Sequence, residues 1–176
     1  MNFCLKVLLF SCLSVALFPV ALLAQDKGDA DMMNTLKAAP EAIAANATVM
    51  DADGNVLREG SNGYTCLPDN PAVEGNSPMC LDDSWMAWVA AWQGGAEAPA
   101  VSNIAFGYML QGDDGNSNTD PNATEPTDDN EWVNAGPHMM LLAPLSVLEG
   151  MPHDPYSGEP FVMWRGTPLA HVMIPM

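Results

Sequence analysis

Two periods of apolar spacing alternate along this chain. Between residues 83 and 93, Trp85, Trp88 and Trp92 recur at i, i+3 and i+7, which on a helix sets three indoles on one face. Asp82 or Asp83 is placed to cap the free N–H groups of the first turn, and Gly94 to take the left-handed position past the last. Elsewhere the period is two. Ile104, Phe106, Tyr108 and Leu110 share one face of a strand predicted over 101–110. Residues 138–142 form an almost continuous apolar run and read as a central strand, with 161–164 and 170–174 as two more and 132–133 extended.

Upstream, Pro40 opens a short helix over 40–46, where its missing N–H costs nothing. Residues 47–50 and 56–58 flank Asp51-Ala52-Asp53-Gly54-Asn55 as a hairpin, and 64–66 lead into Cys66 as an extended segment. A helical turn is expected at 144–148. Residues 111–131 are a long loop with seven acids and no base. These elements predict an α+β fold. It is a small single domain, a mostly antiparallel sheet with one main Trp-rich helix packed on one face and one disulfide.

The N-terminus changes the picture of where the chain resides. Residues 1–24 read as an export signal: Lys6, an apolar run from Val7, and Leu22-Leu23-Ala24 before a cut at Ala24. A retained membrane anchor is the competing reading, against which stands the lack of a cationic flank. Residues 25–38 are small and polar and read as a flexible arm, leaving 39–176 as the domain, with the acidic loop inside it. Cys4 and Cys12 leave with the signal. Cys66 and Cys80 are then an isolated pair, most simply a disulfide in a periplasmic or secreted protein.

Charge excludes several functions. The chain has 5 basic and 22 acidic residues and a net charge of −17. Past Lys37 only Arg58 and Arg165 are cationic, so neither phosphate backbones nor anionic membrane surfaces have anything to bind. No nucleophile elbow or Gly-rich phosphate loop is present, which argues against an enzyme; an enzyme of unassigned type, using scattered carboxylates, is the third option.

Candidate chemistry lies in three places. His138-x-Met140 and His171-x-Met173 each put an imidazole and a thioether on one side of a strand, a soft donor set suited to copper. His153, two residues after Met151, is the alternative ligand, and zinc through the three histidines is a further possibility. The ordinary structural reading is two core histidines among core methionines. Second, Asp114, Asn116, Asn118, Asp120, Asn122 and Glu125 follow a calcium-loop register, although Thr119 stands where that loop wants Gly. Third, the indole face is either core or, if exposed, a stacking or docking surface. Asn46-Ala47-Thr48 and Asn122-Ala123-Thr124 match the glycosylation sequon, relevant only in a secretory-pathway host. The expected function is therefore an exported, acidic, disulfide-bonded binding protein, copper being its most specific ligand. The alternative is a non-catalytic envelope interaction module that binds protein or glycan without metal.

Overall fold

The centre of the fold is covalent. β3 (Tyr64–Leu67) and β4 (Met79–Asp82) are antiparallel neighbours in which Cys66 and Cys80 stand directly opposite and form a disulfide. Both cysteines are fully buried. Closing this loop removes unfolded-chain entropy and contributes about 3 kcal/mol.

The computed structural model describes residues 20–70 and 75–176. Around β3 and β4 the sheet is completed by β1 (Thr48–Met50), β2 (Val56–Arg58), β5 (Ala105–Met109), β8 (His138–Leu142), β9 (Phe161–Met163) and β10 (His171–Pro175). The order is β2-β1-β3-β4-β5-β8-β10-β9. Among the described residues, only the β1–β3 pairing is parallel. A separate ribbon pairs β6 (Asn116–Ser117) with β7 (Trp132–Val133) inside and after the acidic loop. Among the described residues, no helix is long and apolar enough to cross a membrane.

One face of the sheet is covered by α3 (Asp83–Gln93), which buries Trp85, Trp88 and Val89. Asp82 Oδ1 accepts from the backbone N–H groups of Ser84 and Trp85, both at 3.0 Å, as an N-cap should. Its Oδ2 accepts from Phe106 N at 2.6 Å, so the same carboxylate fastens the helix start to β5. At the other end Gly94 stays right-handed and Gly95 takes the left-handed position, with φ +63°. Bonds from Gly95 N to Trp92 O and from Ala96 N to Ala91 O complete a Schellman close. The expected role thus falls one residue later, on Gly95.

The opposite face is covered in two parts. α2 (Glu41–Ala44) and the end of α1 (Val20–Leu36) pack Ala38, Ala39, Ala44 and Ala47 around the disulfide. Further along, Leu148 of α4 (Leu145–Leu148) covers Val162 and Val172.

Two segments are placed by tertiary contacts. Residues 25–36 of the expected arm lie in the helix α1, and the residues at its end pack on the domain. Thr35 and Ala38 are buried, and Leu110 N donates to Ala38 O at 2.9 Å. Small side chains allow the end of this segment to lie against the disulfide, while Asp29 and Asp31 are exposed and Asn34 donates to Asn76 Oδ1 at 2.6 Å. The predicted export signal falls mainly on residues 1–19, outside the described residues. In β5 the alternation is as expected but the buried side is Ala105, Gly107 and Met109, whereas Ile104 is 60% exposed. The indoles of α3 take up the space above this strand, so only small or pliable side chains fit beneath them. A Cβ on Gly107 would lie 2.9 Å from Leu81 Cδ2 and 3.1 Å from Met140 Cε.

Candidate functional site

The face beneath α3 collects the strand residues that carry soft donors. β8 pairs antiparallel with β10, with Met140 opposite Met173 and His138 opposite Pro175. On its other side β8 pairs with β5, with Met109 opposite His138 and Gly107 opposite Met140. Residues directly opposite share a face, so His138, Met140, Met173 and Met109 lie on one surface. All four are buried.

The antiparallel register separates the two histidines. His171 continues β10 to the level of Leu142, four residues along β8 from His138, a Cα offset of roughly 13 Å. The sequence-derived quartet is therefore split. Met140 and Met173 meet, His138 lies at one end with them, and His171 lies at the other.

At the first end, His138 Nδ1 is 2.7 Å from Gly136 O. A carbonyl only accepts, so Nδ1 carries the proton and Nε2 holds a lone pair. Nε2 is buried without a hydrogen-bond partner. Burial holds the imidazole below its ordinary pKa and therefore neutral, partly offset by the Gly136 bond and by Asp113. Asp113 is itself pushed up by burial, opposed by His138 and by its bonds from Ala135 N and Gly115 N. A backbone carbonyl holding the Nδ1–H of a neutral imidazole, so that Nε2 is left free, is the contact that orients metal-binding histidines.

At the second end, His171 Nδ1 donates to Leu169 O at 3.0 Å. Its ring is met edge-on by Trp85, Trp88 and Trp164 at centroid distances of 5.4, 5.3 and 5.1 Å. Enclosure by indoles drives its pKa down to about 4. Trp164 is locked in this cage by bonds from its backbone N to Asn118 O at 2.8 Å and from Nε1 to Ser117 O at 2.7 Å. It does so at φ +55°, a conformation a bulky residue holds only when its surroundings enforce it. Two indoles of the stripe are thus core, with Trp85 1% and Trp88 3% exposed, while Trp92 is half-buried and donates its Nε1–H to Pro121 O at 2.9 Å.

The other candidates are dispersed. His153 lies in the loop before β9, where Nδ1 accepts from Arg165 at 3.3 Å, off the soft-donor face. In the acidic loop, Asp114 Oδ2 accepts from Ser77 Oγ, while Asn118 Nδ2 donates to Glu131 Oε2 and His153 O. Asp120 Oδ1 accepts from Asn122 N, and Asn116 lies in β6. Of the calcium-register residues Asp114, Asn116, Asn118, Asp120 and Glu125, the carboxylates of Asp114 and Asp120 and the amide of Asn118 are thus each engaged by a different partner. Among the described residues, no group of three or more His, Cys, Asp or Glu side chains is placed to hold a metal ion.

Sequence reasoning missed Met109. Its signal was present, since it alternates with Ala105 and Gly107, but only the register of β5 against β8 sets it opposite His138. Compared with protein-family models, curated proteins and solved structures, the chain matches none.

Proposed function

We propose that this protein is an exported soft-metal binding protein whose ligand is Cu(I), held by His138 Nε2 with the thioethers of Met109, Met140 and Met173. The observation that carries the reading is the buried, unpartnered Nε2 of His138 on the same strand face as three methionines. Thioethers with a neutral imidazole favour Cu(I) over hard divalent ions. Methionine side chains are long and pliable enough to turn their sulfurs toward a common ion without backbone movement. Export is supported by the Cys66–Cys80 disulfide, a bond that persists in oxidising compartments, together with the N-terminal apolar run. The acidic surface adds a long-range attraction for cations.

The test is a thermal melt under anaerobic conditions with Cu(I), and with Ag(I) as a redox-inert substitute. At free metal one hundred times Kd the stabilisation is about 2.7 kcal/mol, roughly 5–10 °C in midpoint for a domain of this size. Met140→Leu combined with Met173→Leu conserves volume and removes the shift. An unchanged midpoint in the wild type ends this reading.

A further inference from the structure

Outside the sheet face just described, an apolar cleft opens where the loop after α3, α4 and the loop before β10 come together. It consists of two adjoining hollows of about 430 and 460 Å³ that share Leu145, Pro168 and Ala170. Leu148 and Val162 extend the apolar lining at one end, and Trp88 and Val101 at the other.

Two opposite charges, Arg165 and Glu149, line the first hollow, and a second carboxylate, Glu97, lines the other. Among the described residues the guanidinium has one polar partner, His153 Nδ1, and the Glu149 carboxylate has none. In a chain with 22 acidic and 5 basic residues, Arg165 is one of two cations past Lys37 and, exposed at the cleft wall, is open to an incoming carboxylate. The two charges flank the same apolar lining without satisfying each other.

We infer that this cleft binds a short apolar peptide as its zwitterion, with its carboxylate on Arg165, its ammonium on Glu149 and its side chains along Leu145, Leu148 and Pro168. A ligand bearing both charges neutralises both walls, whereas a fatty acid would bring its carboxylate beside Glu149 and an amine would bring its ammonium beside Arg165. The second hollow, past Leu145 toward Trp88, has room for a second apolar side chain. The complementarity is of charge and apolar shape together, the usual composition of a small-ligand site.

Isothermal titration of the full chain with Leu-Leu dipeptide tests this inference. Saturable binding is expected, weakened about tenfold or more by Arg165→Gln and separately by Glu149→Gln. Both positions are exposed, so circular dichroism of the variants should match the wild type. N-acetyl-Leu-Leu-amide, which lacks both charges, should bind at least tenfold more weakly. No saturable heat with Leu-Leu, equal binding of the blocked peptide, or tighter binding of decanoate than of Leu-Leu would each overturn the assignment. Titration with Leu-Leu in metal-free buffer reads this cleft alone, so its outcome is independent of the copper proposal.

Discussion

Two histidines occupy the two ends of one buried sheet face with the same local geometry and opposite company. Each ring donates Nδ1–H to a carbonyl two residues upstream, Gly136 for His138 and Leu169 for His171. Each is driven toward neutrality by burial. His138 nevertheless faces thioethers and a carboxylate, with a buried lone pair left over, whereas His171 is enclosed by three indoles. The lesson is that backbone context sets the tautomer, and neighbours from other strands and from the helix set the chemistry. One end leaves an imidazole nitrogen unpartnered, and the other closes the ring in aromatic packing.

The largest expected break comes from the indole end. Trp88 stacks on Trp164 at 5.6 Å with planes 4° apart and also contacts Trp85 and His171. Trp88→Ala should cost about 3–5 kcal/mol by chemical denaturation, because the rigid cage cannot close over the lost volume. A cost below about 1 kcal/mol would mean that the cage is not a packed core.

A pH series sharpens the contrast in the metal-free chain. His171 has a folded pKa of about 4 against an ordinary value of 6.5. The unfolded chain takes up its proton first, so stability is full above about pH 6.5 and falls as pH drops toward 4. The loss from this residue amounts to about 3 kcal/mol. His138 acts in the same direction. Asp113, raised in the folded state, acts in the opposite one, its contribution being present at low pH and lost as pH rises through its folded value. Nuclear magnetic resonance of the imidazole Cε1 protons separates them, and a His171 resonance titrating near its unperturbed value would contradict the enclosed site.

The smallest effect tests the strip between the two ends. Gly107→Ala introduces a Cβ that presses on Leu81 and Met140. We expect a loss of about 1–3 kcal/mol and a reduced copper response, since Met140 must shift while the His171 cage stays intact. An unchanged melt and an unchanged copper response would show that Met140 is free to move and does not hold the ion.

Much of the local structure was legible along the chain. The helix over Asp83–Gln93 follows from the indole spacing and the Asp82 cap, and the hairpin of β1 and β2 from its Gly54 turn. The pairing of Cys66 with Cys80 followed from their isolation. The donor pairs His138-x-Met140 and His171-x-Met173 were visible as same-side neighbours because a strand alternates with period two. The helical arm at 25–36 was not legible, since its end is held by burial of Thr35 and Ala38 against a disulfide distant in sequence.

What the sequence alone determined is therefore local: periodicity, capping, the cysteine pair and the side of each strand on which a residue lies. Those properties depend on neighbours within a few positions and on the two repeat lengths of the polypeptide backbone. Tertiary structure alone decided that Met109 joins His138, that His171 is shut among indoles, and that Arg165 and Glu149 line one cleft. Strand register and helix docking are long-range choices made by the packing of the whole core, and a strand shifted by one residue would turn Met109, His138 or His171 to the other face.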